Sequence, residues 1–303
     1  MAGIIEDIKQ NFRKGNMVIK LIYINVAVFV VLLLLGLVSG LFIPMADHPG
    51  LGEEMKGWAE WLHLYANFSQ LILKPWTLLT HMFTHTEIFH LLFNMLMLYF
   101  SGQLFVQFFG ERRLLPTYLL GGLSGALVLV LAATFLPLFH RVEVTGLGAS
   151  AAVMSLFIAV CVYAPTMKAN LFGVFPIELR YLALIVIAID LLTFYSSNTG
   201  GHIAHIIGAV FGFIMAKQYL IGKDITRGFA RFLDKLFALF KKRDSDLYVS
   251  HSKVRKMKDE DFNFNKKKVQ ERVDDILDKI GRSGYDSLTK EEKDFLNKSS
   301  RQS

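Results

Sequence analysis

This 303-residue sequence is short of two things above all, cysteine and charge. Cys161 is its single cysteine and lies inside an apolar run, which excludes disulfides and thiolate metal sites and predicts a small buried core residue. Charged residues are 19% of the chain against 53% hydrophobic, and the mean hydropathy is +0.40, a poor fit to one soluble domain. The few charges are unevenly spread, because 21 of the 33 Lys/Arg and 15 of the 26 Asp/Glu fall after residue 221. An apolar body with a charged tail is the reading that fits. The net charge of +7 does not point to nucleic acid, because the body's basic residues flank apolar runs, where topology or anionic lipid explains them. The first apolar run is long and lacks a small-x-small cleavage site, so a retained anchor is expected rather than a signal peptide.

A helix needs about 20 apolar residues to cross the bilayer core. Six stretches approach that length: 18–43, 88–109, 115–139, 148–165, 178–195 and 203–220. The expected fold is therefore all-α, a six-transmembrane-helix bundle. Lys9, Arg13, Lys14 and Lys20 precede the first stretch, Arg112 and Arg113 follow the second, Lys168 and Arg180 sit between the fourth and fifth, and Lys217, Lys223 and Arg227 close the sixth. With six crossings all of these fall on one side, while Asp47, Glu53, Glu54 and Glu60 fall on the other. The positive-inside rule then makes both termini cytoplasmic, in a multi-pass protein of the plasma membrane.

The chain divides into a cytoplasmic N-terminus (1–17), a six-span domain (18–221), a cytoplasmic amphipathic helix (222–244) and a tail (245–303). In the outer-face loop 44–86, Trp58, Trp61, Leu62, Tyr65, Phe68, Leu71 and Ile72 recur at helical spacing and predict an interfacial helix. Phe229, Phe232, Leu233, Leu236, Phe237 and Phe240, interleaved with Arg231, Lys235 and Lys241, predict a second one on the cytoplasmic leaflet. In the tail, Val269, Val273, Ile276, Leu277 and Ile280 share a helix face that stops near Gly281. Thr289 and Glu292 then form a capping box for a helix ending near Leu296. This hairpin has no catalytic constellation and is either a docking element or a solvated appendage.

Polar side chains inside a span are costly and mark function by default. His90 and Asn94, Ser150 and His205 lie on the second, fourth and sixth stretches, which all run from outside to inside. Ser150, His90 and His205 are each about three residues in, roughly 5 Å below the outer edge at ~1.5 Å per residue, with Asn94 one turn deeper. A hydroxyl, two imidazoles and an amide at matched depth permit acyl transfer. A serine becomes a nucleophile when an imidazole takes its proton, and the oxyanion needs donors such as His90, Asn94 and the Ser150 N–H at a helix start. Ala204, Gly208, Gly212 and Ala216 repeat every four residues, a small-xxx-small pattern that brings the His205 helix close to Ser150.

"GLGASA" around Ser150, "HLLFN" from His90 to Asn94 and "AHIIGAVFG" from Ala204 to Gly212 together resemble the rhomboid intramembrane serine proteases over residues 15–221. "THMFTHTEIFHLLFN" and the "GERR" after the second stretch fit as well. The resemblance implies that Ser150 is the nucleophile and His205 the general base, then acid. His90, Asn94 and Gly148 with the Ser150 amide serve the oxyanion and substrate, and Gly208 is the close-packing glycine behind the dyad. It also implies an endopeptidase acting on single-span or membrane-anchored proteins near the outer face. One departure is Met154, where many members stack an aromatic on the catalytic histidine; a thioether can pack against imidazole. An inactive rhomboid-like scaffold that binds transmembrane helices is the alternative.

His202 competes with His205, but the spacing to Gly208 and Gly212 favours His205 and leaves His202 at a loop edge. Asp190 could be a third catalytic member, but a structural hydrogen bond is the expectation because the family resembled uses a dyad. His81, His85 and His90 invite a metal, yet no HExxH motif or carboxylate partner accompanies them, so a polar network at the outer mouth is expected, with no metal and no cofactor. "YSSNTGG", residues 195–201, is read as part of a mobile gate with the fifth stretch, its Gly200 and Gly201 easing loop motion.

Overall fold

The computed structural model describes residues 10, 12, 15–44, 47, 49–140, 142–171, 175–195, 198–240, 272–282, 284 and 288–300. The chain divides into two compact units, Met1–Phe240 and Lys241–Ser303. The first is almost wholly helical. Its elements are α1 (Met17–Gly40), α2 (Leu51–Ala59), β1 (Leu64–Tyr65), α3 (Phe68–Leu73), α4 (Thr77–Thr80), α5 (Ile88–Phe109), α6 (Glu111–Phe135), β2 (Thr145–Gly146) and α7 (Ser150–Tyr163). They are followed by β3 (Lys168–Leu171), β4 (Phe175–Glu178), α8 (Leu179–Leu192), α9 (Thr199–Leu220) and α10 (Arg227–Phe240).

Four helices, α1, α5, α6 and α9, are long and apolar enough to cross a membrane, which makes this a multi-pass membrane protein. The fourth and fifth expected spans appear as shorter helices of 14 residues each, α7 and α8. Short as it is, α7 is the centre of the bundle: every residue from Ala151 to Cys161 is buried, as an all-round apolar helix requires. It packs against α9, α6 and α5. The approach to α9 is set by glycine. A Cβ on Gly208 would meet the Ala151 carbonyl and one on Gly212 the Ser155 carbonyl, so only hydrogen fits between these backbones. Between helices in lipid, such van der Waals contact is the main attraction available.

Helix boundaries depart from the apolar runs where capping decides them. Gly110, at φ 81°, closes α5 and opens α6, so α6 starts at Glu111 rather than 115 and takes Arg112 and Arg113 into its first turn. The Asn198 side chain accepts from the Gly201 N–H and starts α9 at Thr199. Gly200, Gly201 and His202 therefore belong to the first turn of a helix, which corrects the reading of Gly200 and Gly201 as loop and of His202 as a loop edge.

The loop 44–86 is not one amphipathic helix either. Leu64 and Tyr65 pair antiparallel with Gly146 and Thr145, which interrupts the aromatic periodicity, and Asn67 caps a fresh short helix, α3.

In the second unit a helix over 272–282, α11, is followed by α12 (Lys290–Ser300), four residues longer than expected. The capping box forms: the Thr289 N–H donates to Glu292 Oε2 at 2.7 Å, and the Glu292 N–H to Thr289 Oγ1 at 3.3 Å. Val269 lies outside the described residues.

Candidate active site

A cavity of about 840 Å³ opens over the N-terminus of α7, with His90, Gly148, Ser150 and His205 on its wall. Ser150 is the first residue of α7 and follows a tight turn in which Gly148 takes φ 106°. That φ belongs to glycine, and a Cβ there would lie 2.7 Å from His90 Cε1 and 2.9 Å from His90 Nε2. The turn is held by the segment that precedes α5. The Gly148 N–H donates to the His81 carbonyl at 2.8 Å, and the Ala149 N–H donates to His85 Nε2 at 3.3 Å.

The expected outer-mouth network is thus present, and its role is to fix the turn that presents Ser150. His81 Nδ1 in turn bonds the Thr77 carbonyl at 2.8 Å. Burial pushes the His81 imidazole down to about 4 and the His85 imidazole down to about 3, so both are neutral at ordinary pH.

Across the cavity, His205 Nε2 lies 2.7 Å from Ser150 Oγ. His205 Nδ1 lies 2.9 Å from Asp190 Oδ1, and the same oxygen is 2.7 Å from His202 Nδ1. A carboxylate only accepts, so Nδ1 of both rings carries the proton. That fixes the His205 tautomer with an Nε2 lone pair facing the Ser150 hydroxyl. The structure therefore joins Ser150, His205, Asp190 and His202 in one chain of hydrogen bonds.

Asp190 is buried, and with Leu179 it makes up what α8 buries along its length. Its hydrogen bond is to the imidazole behind the serine, a connection the sequence left open. The signal was there: a carboxylate inside an apolar run demands a partner, and His202 and His205 are three residues apart on one helix face.

The remaining residues fall as follows. His90 reaches the cavity and meets His85 edge-on, ring centroids 5.1 Å apart. Asn94 is buried and donates its amide to the His90 carbonyl at 2.9 Å, one turn back along α5. Met154 is buried in the core of the bundle, and Gly208 backs onto Ala151.

Asp190, His202 and His205 are also a set whose ligand atoms lie within 4.8 Å of one another, a spacing compatible with a metal ion. In the arrangement seen here both Nδ1 atoms are turned to Asp190 Oδ1, while the buried Asp190 Oδ2 has no hydrogen-bond partner.

Comparison with known proteins agrees with this architecture. The rhomboid domain family matches residues 73–221, from the outer loop to the end of α9, and a family of unknown function (DUF6576) matches residues 256–302 of the tail. "RHOMBOID-like protein 12, mitochondrial" of Arabidopsis thaliana is 32% identical over 145 residues, covering 44% of this chain. The match spans 43% of that relative's length. With the helical bundle, the cavity and these matches together, residues 73–221 of the chain belong to the rhomboid domain family.

Proposed function

We propose that this protein is an intramembrane serine endopeptidase that hydrolyses peptide bonds of transmembrane or membrane-anchored proteins near the outer face of a plasma membrane, with both its termini cytoplasmic. The observation that carries the reading is the 2.7 Å contact between Ser150 Oγ and His205 Nε2 at the base of a polar cavity. In a substrate complex His205 Nε2 takes the Ser150 proton as Oγ bonds to the scissile carbonyl carbon. The resulting oxyanion accepts hydrogen bonds from the Ser150 N–H, which has no partner within its own helix, and from His90 beside Gly148. Asn94 gives one of its two amide N–H donors to the His90 carbonyl and has the other for this set. Collapse of the intermediate breaks the C–N bond, and His205 returns the proton to the leaving amine. A water entering the cavity then gives its proton to His205 and its oxygen to the acyl carbon, releasing a carboxylic acid and regenerating Ser150. Through these steps Asp190 holds the imidazole in the productive tautomer and faces the imidazolium with a carboxylate.

A substrate helix has to reach this cavity from the side. The helix of the fifth apolar stretch, α8, buries little beyond Leu179 and Asp190, which supports its role as the lateral gate. Cross-linking α8 to α5 is expected to slow turnover, and unchanged rates would reject lateral entry.

The deciding experiment reconstitutes the full chain with a panel of tagged single-span substrates, beside Ser150→Ala and His205→Ala. Cleavage by the wild type, with fluorophosphonate labelling lost in Ser150→Ala, is the expected result. Binding of the same substrates without cleavage or labelling would make the protein a rhomboid-like scaffold instead.

A further inference from the structure

At the other end of the bundle, where α5 and α9 finish, a second cavity of about 430 Å³ is lined by four arginines: Arg112, Arg113, Arg227 and Arg231. We infer that this cavity binds the phosphate of an anionic phospholipid headgroup.

The charges there are arranged against themselves. Arg112 and Arg113 occupy the first turn of α6, and Arg227 the first position of α10. A helix N-terminus carries partial positive charge and favours anions, so cations gathered at two such ends raise each other's cost. Glu111, the acidic residue of the α6 first turn, is drawn away to accept the Met17 N–H at 2.7 Å.

Compensation within the protein is partial. Asp224 holds Arg113 at 2.7 Å, and the same guanidinium donates to the Phe109 carbonyl and lies over the Tyr219 ring. Asp234 meets Arg112 at 2.6 Å, but both side chains are more than half exposed, and such surface pairs contribute little. Arg231 turns back along α10, its Nε 3.4 Å from the Arg227 carbonyl. Among the described residues, two carboxylates therefore face four guanidiniums around one hollow. Planar forks of this kind match phosphate oxygens.

Position selects the lipid. The cavity lies at the ends of spanning helices, where headgroups sit, and α10 runs beside it with Phe232, Leu236 and Phe237 of its apolar stripe exposed. A helix with basic and apolar faces lies in the interface, and basic pockets at the ends of spans hold anionic headgroups. The inference concerns a site remote from Ser150 and does not rest on the protease reading.

The test is native mass spectrometry of the purified full chain in mild detergent, offered equal amounts of phosphatidylglycerol and phosphatidylcholine. The wild type is expected to retain phosphatidylglycerol preferentially. Arg227→Gln with Arg231→Gln, which leaves both ion pairs intact, should reduce that preference by about thirty-fold, from about five-fold per arginine at the membrane surface. Lys168→Gln with Arg180→Gln removes the same net charge elsewhere and should leave it unchanged. Circular dichroism and elution volume check that both variants fold. An undiminished preference in the first double variant, or an equal loss in the second, overturns the inference. Displacement of the lipid by an equal concentration of inorganic phosphate would assign the pocket to a soluble phosphate and overturn it as well.

Discussion

Replacing Asp190 by Asn alters one atom's chemistry and keeps the side chain's shape, which makes it the sharpest probe of the site. Asp190 Oδ1 accepts from His205 Nδ1 at 2.9 Å and from His202 Nδ1 at 2.7 Å. In the Asn variant the amide has two orientations. With its oxygen inward both rings keep their donors, but the charge facing the imidazolium is lost. With its NH2 inward, His205 must accept at Nδ1, which moves its proton to Nε2 and removes the lone pair that faces Ser150. A hydrogen bond to a charged group contributes about 1.5–3 kcal/mol. At ~1.4 kcal/mol per tenfold, kcat is expected to fall roughly 10- to 150-fold. The lower half of that range is favoured because one oxygen serves two rings. Substrate binding does not use Asp190, so KM should hardly move. Initial rates on a tagged single-span substrate in vesicles, together with the rate of fluorophosphonate labelling, read the catalytic effect, and the melting temperature reads any structural one. Wild-type kcat in Asp190→Asn would refute the orienting role. So would a rate loss matched by a fall in melting temperature while labelling stays normal.

Three further predictions address the scaffold around the dyad. Gly208→Ala would place a methyl against the Ala151 carbonyl and should cost about 1–3 kcal/mol of stability as α7 and α9 part. Gly57→Ala, with open space around it in α2, should leave the melting temperature unchanged or higher, and equal effects at the two sites would reject the close-packing account. Gly148→Ala combines a φ of 106° with a methyl 2.7 Å from the His90 ring, so His90 should shift and kcat fall about tenfold or more with the protein still folded; an unaffected kcat would remove His90 from the oxyanion site. Because burial holds His81 near 4 and His85 near 3, the unfolded chain takes up protons below about pH 6.5 that the folded chain refuses. Stability contributed by each neutral imidazole is therefore complete above 6.5 and declines as pH drops, by about 2 kcal/mol per histidine at pH 5. Thermal unfolding at pH 7.5 and pH 5 measures this, and His85→Gln should remove about half of the difference.

What the sequence made legible, and what it did not, follows from the range of each interaction. Helical rise converts sequence position into depth, so counting along the second, fourth and sixth apolar stretches put His90, Ser150 and His205 at one expected level, although they stand at positions three, one and seven of their helices. The small residues at 204, 208, 212 and 216 carried the lateral information, since a four-residue repeat of small side chains marks a close helix face. The contact at 2.7 Å between Ser150 and His205 is the product of those two local patterns. Asp190 was different. Its cost inside an apolar run was plain, but its partner depended on how α8 is rotated against α9, and that rotation is set by packing between helices rather than by any repeat within α8. The loop 44–86 misled for the same reason in reverse. Its aromatics have helical spacing, yet Leu64 and Tyr65 are claimed by Gly146 and Thr145, some 80 residues away, and that pairing outweighs the local pattern. His202 was displaced by a still smaller cause. One side chain, Asn198, caps α9 a turn before the apolar run begins, and the extra turn brings His202 onto Asp190 beside His205. Apolar runs report which part of a helix suits the hydrocarbon of a bilayer, whereas caps decide where it starts. At a site built from the N-terminal turns of α7 and α9, the second kind of information governs which side chains meet.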